Sequence, residues 1–339
     1  MNKIEKFIKE CPKAELHFHI DNISPELYLK FVKRNHMNVP FQTVEEVKNY
    51  YTFSTLNEFI EKMLASIEAI QTEEDFKDMV IECAKDMKRQ NIIYRECMFD
   101  YTGCYQKRGI TLETLVNGFY EGLKVVNHLY NDLDIRFIAN IDRTDSAENN
   151  LQYLNELVKY KEKIPLIAIG MDMAEIGYPA SHQKEIFEKA KEYGFHLTGH
   201  NGEDVGAESV WDALKSCHLE RVDHGIRSVE DGELLKYEKE NNVLLTLCPD
   251  SNISLGVYPS WQDYPLRKIM ESGVKVCINS DDPGILTYDL VGNLIKCAEI
   301  FQLTEKEIVE LIRNAFVYNF AGNQHISKVD EWLQKNNVI

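Results

Sequence analysis

The fold of this chain is constrained most by eight short apolar runs, each of strand length and separated by stretches with helical spacing. Several runs are apolar almost throughout, which is typical of parallel strands that are buried on both faces. Eight strands that alternate with helices predict an α/β fold of the (β/α)8 TIM-type barrel class. The runs lie at residues 15–20, 92–98, 135–141, 166–173, 195–200, 221–226, 243–248 and 275–280.

The segment between the first two runs is too long for a single connecting helix, and it contains several helix starts. Ser24 precedes Pro25 in the way that an N-cap precedes a proline in the first helical turn. Thr55 and Glu58 form a capping-box pattern, and Thr72 precedes a further helical stretch. We therefore expect several helices inserted after the first strand, where they could cover the mouth of the barrel.

The alternative architecture is an open, doubly wound parallel sheet. Such a sheet favours a Gly-x-Gly-x-x-Gly sequence after its first strand, and this chain lacks one. No linker rich in proline, glycine or serine divides the sequence, so we expect a single barrel domain over residues 1–339.

The charge of the chain argues against polyanionic partners. The sequence has 38 lysine and arginine residues against 55 aspartate and glutamate residues, a formal net charge of −17. Nucleic acids and anionic membranes are bound by basic surfaces, so neither is expected as a partner. No apolar run approaches the roughly 18 residues of a membrane span, and the N-terminal segment lacks a signal peptide's apolar core. We expect a cytoplasmic protein whose eight cysteines, which form no Cys-x-x-Cys pair, are mostly buried thiols.

Histidine and aspartate residues concentrate at the carboxyl ends of four runs, where a (β/α)8 barrel carries its active site. His17 and His19 are two residues apart on the first predicted strand, so both imidazoles face the same side. His200 ends the fifth run, and Asp281 follows the eighth. Three imidazoles with one carboxylate suit zinc, which lowers the pKa of a bound water to about 7.

Two further ionisable residues lie at the same predicted rim. Glu203 follows His200 in a His-Asn-Gly-Glu sequence, and His224 belongs to an Asp-His-Gly sequence at the end of the sixth run. The two could serve as acid and base beside the water. Each residue alone is weak evidence, because an isolated histidine is usually structural and an Asp-Asp-Pro sequence can be a turn. Four separate runs that bring such residues to one rim favour a shared site.

At these residues the sequence resembles the adenosine/adenine deaminase family of the amidohydrolase superfamily. The resemblance extends from about Pro12 to Phe320, and it rests on five motifs whose order and spacing are similar to those of the family. The zinc site of cytidine deaminases, with its Pro-Cys-x-x-Cys sequence, is absent from the chain. The five motifs are Glu15-Leu-His-Phe-His-Ile-Asp21, His200-Asn-Gly-Glu203, Asp223-His-Gly225, Cys248-Pro-Asp-Ser-Asn252 and Asn279-Ser-Asp-Asp-Pro283.

The resemblance implies a barrel with one zinc ion and a small purine base or nucleoside as substrate. The implied reaction replaces the 6-amino group of the purine with oxygen and releases ammonia, as in purine salvage. The implied zinc ligands are His17, His19, His200 and Asp281.

The same resemblance implies roles for residues beside the metal. Glu203, as a neutral carboxylic acid, would protonate N1 of the purine so that the ring accepts electrons as C6 becomes tetrahedral. His224 would orient the attacking water and help to deprotonate it. Asp282 would hold N7, and His19 would face the substrate as well as the metal.

The residues that would distinguish a base from a nucleoside give conflicting indications. Asp21 resembles the residue that contacts ribose in members that act on adenosine. Glu175 replaces a glycine of those members and resembles the members that act on adenine. Its carboxylate could accept the N–H at N9 or N3 that only the free base carries, or the residue could contribute only its backbone N–H. Because Asp21 and the segment after Pro283 resemble the nucleoside-acting members, we expect adenosine and 2′-deoxyadenosine as substrates, with adenine as the alternative.

Three rival functions have less support. A barrel hydrolase that acts on another aminated heterocycle would use the same zinc ligands, so only substrate assays separate it. A non-catalytic binding protein is disfavoured because every candidate site residue is intact. A nicotinamide-dependent enzyme on an open sheet would need the missing glycine-rich sequence.

Overall fold

A computed structural model of the chain describes residues 3–53 and 56–338. These residues form nine parallel strands and sixteen α-helices. The strands are β1 (Lys13–His19), β2 (Ile92–Asp100), β3 (Asp134–Asp142), β4 (Leu166–Asp172), β5 (His196–Leu197), β6 (His200–Asn201), β7 (Arg221–His224), β8 (Leu244–Leu247) and β9 (Lys275–Ile278).

The strands follow one another in the order of the chain. Strands β1 to β5 pair consecutively, and so do β6 to β9. Thr198 and Gly199 separate β5 from β6 within the fifth predicted run, and backbone hydrogen bonds continue on both sides. Thr198 N donates to a carbonyl of β4 at 3.1 Å, and Gly199 O accepts from an N–H of β7 at 2.9 Å. A parallel bridge between Phe18 and Asp281 joins β1 to the residues after β9, which agrees with the predicted barrel.

Helices occupy the segments between the strands. The inserted segment after β1 contains four of them, α2 to α5, as the sequence predicts. The helices are α1 (Lys3–Glu10), α2 (Pro25–Arg34), α3 (Val44–Tyr50), α4 (Leu56–Ile67), α5 (Glu73–Gln90), α6 (Tyr101–Cys104), α7 (Leu112–Leu129), α8 (Ala147–Leu157), α9 (Lys184–Glu192), α10 (Ala207–Ser216), α11 (Gly232–Glu240), α12 (Pro249–Ser254), α13 (Leu266–Ser272), α14 (Leu290–Ile300), α15 (Glu305–Val317) and α16 (Ile326–Lys335).

Side-chain caps define the starts of the inserted helices. Ser24 Oγ accepts a hydrogen bond from Leu27 N at 3.2 Å, so Ser24 caps α2. Thr72 and Asp75 form a reciprocal capping box at the start of α5. The capping box predicted at Thr55 lies outside the described residues. These local bonds satisfy N–H groups that the first helical turn leaves without partners.

The strands are buried by the surrounding helices, and every residue of β2 is buried. All eight cysteines are buried and free, in agreement with the prediction from their spacing. Among the described helices, none combines the length and the apolar character that crossing a membrane requires. Within this apolar interior, the polar side chains at the carboxyl ends of the strands are the candidate functional residues.

Candidate metal centre and active site

Three imidazoles and one carboxylate converge at the carboxyl ends of the strands. β1 contributes His17 and His19, β6 contributes His200, and Asp281 follows β9. The Nε2 atom of His200 lies 3.0 Å from the Nε2 atoms of both His17 and His19. Asp281 Oδ1 lies 3.1 Å from His17 Nε2 and 3.4 Å from His19 Nε2. The four potential ligand atoms all lie within 4.8 Å of one another.

The hydrogen bonds at the Nδ1 atoms of His17 and His200 indicate that these residues are suited to bind a cation through Nε2. Thr246 Oγ1 donates to Asp223 Oδ1 at 2.9 Å, so it accepts from His17 Nδ1–H at 3.0 Å. His200 Nδ1 lies 3.1 Å from the carbonyl of Met171, which can only accept. In neutral imidazoles, both Nε2 atoms then carry lone pairs that face each other. A metal ion between them would resolve this contact, and nitrogen and carboxylate donors suit zinc.

Burial sets the charge states within the cluster. It lowers the pKa of His19 to about 4 and that of His224 to about 3, so both rings are neutral near pH 7. Burial also opposes ionisation of Asp281, but the neighbouring His17 holds the pKa of this carboxyl well below its usual range. The neutral imidazole of His19 and the ionised carboxylate of Asp281 are forms that bind metal ions. Burial opposes the charge of His17, but Asp281 raises the pKa of this imidazole, so His17 would release a proton when a metal ion binds.

The candidate acid and base, Glu203 and His224, face each other beside these ligands. Glu203 Oε2 lies 3.4 Å from His224 Nε2, which is 3.8 Å from Asp281 Oδ2. Asn252 Nδ2 donates to Glu203 Oε1 at 2.9 Å. Burial and then the charge of Asp281 hold the pKa of Glu203 well above its usual range. Glu203 therefore favours its neutral form, which can donate a proton.

Asp282 is fixed by a residue that the sequence analysis did not assign. Asn22 Nδ2 donates to Asp282 Oδ1. Gly284 permits this arrangement, because a Cβ atom at that position would lie 2.0 Å from the carbonyl oxygen of Asn22. Burial and the charge of Asp281 hold the pKa of Asp282 well above its usual range, so this carboxyl also favours its neutral form.

Asp21 and Glu175 reach the same cavity, but their carboxylates are bound within the protein. Asp21 Oδ1 accepts from Tyr105 OH at 2.6 Å, and Asp21 Oδ2 accepts from Asp100 N at 2.9 Å. Burial raises the pKa of Asp21 to about 7. Glu175 accepts hydrogen bonds from the backbone of loop 202–205.

A cavity of about 150 Å³ opens onto His19, Glu203 and Asp282. A space of this size accommodates a small aromatic molecule. The inserted helix α4 forms an apolar wall of the cavity and so covers part of the barrel mouth. The residues of this wall are Phe59, Ile60, Met63 and Ile67.

The backbone is strained at three positions around this cavity. Met173, His224 and Asp281 have φ values of +68°, +60° and +65°, in the left-handed region that favours glycine. The turn after β7 continues through Gly225, with a φ of +67°. Such strain in non-glycine residues clusters at functional sites, where it aims side chains that a regular strand would direct elsewhere.

Four residues of the site have no role in the sequence analysis. Asn22 lies beside the first quoted motif, and its amide donates to Asp282. Asn252 ends the fourth motif, and its amide donates to Glu203. Thr246 is a polar residue inside the seventh apolar run, which is a signal that was available. Arg143 follows the third run, and its guanidinium donates to the carbonyl of His200. These four residues hold the candidate site residues in position.

Comparisons with known proteins agree with this geometry. A sequence model of the family described as "Adenosine deaminase" matches residues 12–335. The adenine deaminase of Psychrobacter cryohalolentis is 32% identical over 96% of this chain and 98% of the relative. The adenine deaminase of Acinetobacter baylyi is 33% identical over the full length of both chains. The crystal structure of adenine deaminase from Arthrobacter aurescens has a TM-score of 0.90 at 31% identity, and covers 96% of this chain and 99% of that chain. This chain belongs to the adenosine/adenine deaminase family, and it is a hydrolase that acts on a carbon–nitrogen bond of a purine.

Proposed function

We propose that the protein is a zinc-dependent adenine deaminase, which converts adenine and water to hypoxanthine and ammonia. The observation that carries the proposal is the convergence of His17, His19, His200 and Asp281 on one point, with Glu203 and His224 beside it. Hydrolysis at an aromatic carbon needs an activated water and a proton donor for the ring, and these residues supply both requirements.

The four converging residues would hold one zinc ion, which supplies a nucleophile by lowering the pKa of a water molecule. His224 would accept a proton from this water. Glu203, neutral and held by Asn252, would donate a proton to N1 of the purine. Asp282, also favouring its neutral form, would donate to N7, which is an acceptor in the base. The apolar wall of α4 would pack against the ring and exclude water.

The site is better suited to free adenine than to adenosine, the substrate expected from the sequence. The relatives at 32% and 33% identity are adenine deaminases, and so is the solved structure at 31% identity. The carboxylate of Asp21, the candidate ribose contact, accepts hydrogen bonds from Tyr105 OH and Asp100 N. A ribose hydroxyl would compete with these donors for the same oxygens.

The test is ammonia release by the purified, zinc-loaded protein, with adenine and adenosine at equal concentrations in parallel assays. We expect release from adenine and little from adenosine. Release from adenosine alone would replace the proposal with the nucleoside alternative. No release from either compound, in protein with a full equivalent of zinc, would contradict both substrates.

A further inference from the structure

Glu175 is bound to the loop that carries Glu203 by an unusually dense set of hydrogen bonds. Its Oε2 atom accepts from the backbone N–H groups of Glu203, Asp204 and Val205 at 2.9, 2.7 and 3.2 Å. Its Oε1 atom accepts from Gly202 N at 2.8 Å. The hydroxyl of Ser209, in α10, also donates to Oε1, at 2.5 Å. Five donors therefore converge on one carboxylate.

This set uses all the acceptor capacity of the side chain. A carboxylate offers about four lone-pair positions, and five donors already share them. Only 5% of Glu175 is exposed to solvent. Arg143 Nη1 lies 4.0 Å from Glu175 Oε1 and provides a positive charge nearby. The carboxylate has no free lone pair for the N–H of a bound purine, so its structural partner is the loop.

The loop depends on Glu175 because its backbone turns sharply away from β6. Gly202 has a φ of +67°, and a Cβ atom there would lie 2.4 Å from Val210 Cγ2. Four successive N–H groups, from residues 202–205, point toward one side in this turn. Without the Glu175 carboxylate, these four N–H groups would lose their hydrogen-bond acceptor. The loss is larger than for a neutral acceptor, because hydrogen bonds to a charged group are stronger than those between neutral groups.

Three hydrogen bonds hold Glu203 in place, and one of them is made by Glu175. Its N–H donates to Glu175, its carbonyl accepts from Arg227 Nε at 2.8 Å, and its side chain accepts from Asn252 at 2.9 Å. Glu175 therefore binds the backbone of Glu203, and the carboxyl of Glu203 faces His224. A shift of the loop would move the candidate proton donor relative to the ring it must protonate.

We propose that Glu175 is a positioning residue that holds loop 202–205 so that Glu203 can protonate the purine. The proposal rests on the proposed function for the role of Glu203. It gives a task within the protein to the glutamate that stands where the adenosine-acting members have a glycine. Glu175→Gln keeps the size of the side chain, but its amide NH2 group faces donors in either orientation.

Amide hydrogen exchange tests the contact without any substrate. In the Glu175→Gln variant, we expect the amides of residues 202–205 to exchange about tenfold faster or more, since they lose a charged acceptor. Ser209→Ala removes one donor of the five and leaves the carboxylate, so it should have a smaller effect and serves if the first variant does not fold. Glu185→Gln, on the exposed face of α9, is the matched control and should leave exchange unchanged. Unchanged exchange in folded Glu175→Gln would overturn the proposal.

Kinetics test the consequence for Glu203. We expect Glu175→Gln to lower kcat by roughly 10–100-fold, the scale of a misplaced catalytic group, with unchanged zinc content and little change in KM for adenine. In a Glu203→Gln background the same substitution should have almost no further effect, because both act through one group. Equal losses of kcat in the two backgrounds, or a change confined to KM, would overturn the positioning role. If the wild-type protein does not deaminate adenine, the proposed function fails, while the exchange experiment still decides the contact.

Discussion

Replacing Thr246 by valine should weaken metal binding, because this hydroxyl orients His17. Thr246 Oγ1 accepts from His17 Nδ1 at 3.0 Å and donates to Asp223 Oδ1 at 2.9 Å, and all three residues are fully buried. Valine has nearly the same shape but no hydrogen-bonding group, so the change removes both bonds and leaves the packing in place.

The size of the effect follows from the two bonds that are lost. Removing the partner of a metal-binding histidine lowers metal affinity by about 10–100-fold. This corresponds to about 1.4–2.8 kcal/mol in binding free energy. Leaving His17 Nδ1–H buried without an acceptor also lowers the free energy of unfolding of the metal-free protein by about 1–3 kcal/mol.

Thr198→Val provides a matched control. Its hydroxyl donates to the other oxygen of the same carboxylate, Asp223 Oδ2, at 2.6 Å, but no hydrogen bond joins Thr198 to a candidate ligand. Zinc affinity should be measured by competition with a chelator of known affinity, and the free energy of unfolding by denaturant titration. Thr246→Val should lose affinity while Thr198→Val keeps it and loses only stability. Equal affinity in both variants would refute the role of Thr246.

Three further predictions concern single carboxyl groups. Glu203→Gln should keep its zinc, measured by elemental analysis, and lose roughly 10²–10⁴-fold in kcat for adenine; near-normal activity would rule out proton donation by Glu203. Asp281→Ala should lower zinc occupancy, and a fully loaded variant would remove Asp281 from the ligand set. Glu238, which accepts from Ser228 Oγ at 2.6 Å, has a pKa raised by burial from 4.5 to about 8. The stability of its neutral form is complete below pH 4.5 and is lost as the pH rises through about 8, so Glu238→Gln should become increasingly stable relative to wild type over that range, by thermal unfolding. A constant difference between pH 5 and pH 9 would contradict the assignment.

The apolar runs predict the strands of the fold well, but not where each one ends. The sixth run extends to residue 226, whereas β7 ends at His224, because His224 and Gly225 both adopt left-handed backbone. The eighth run extends to residue 280, whereas β9 ends at Ile278. There the Asn279 side chain accepts hydrogen bonds from the backbone of β1. Apolar periodicity reports burial, and it contains no information about φ values or about side chains that bond across strands.

In the site, too, the sequence pattern predicts which residues converge but not the contacts that their side chains make. The positions of His17, His200 and Asp281 at strand ends suffice to predict their convergence, because the ends of parallel strands share one rim. The direction of the Glu175 side chain depends on its rotamer and on four N–H groups presented by a loop 27 to 30 residues later. Arg143 is separated from its partner His200 by 57 residues, so neither contact has a local signature in the sequence.

The left-handed backbone at His224 and Asp281 has a consequence for attempts to make this protein more heat-tolerant. Each residue gives up about 1–3 kcal/mol relative to an unstrained conformation, and glycine would recover part of this energy. A selection that scores only survival at high temperature would favour glycine at both positions, and it would discard the candidate base His224 and the candidate zinc ligand Asp281. Thermostable variants of this protein should therefore be selected under a requirement for turnover, so that the strained positions are retained.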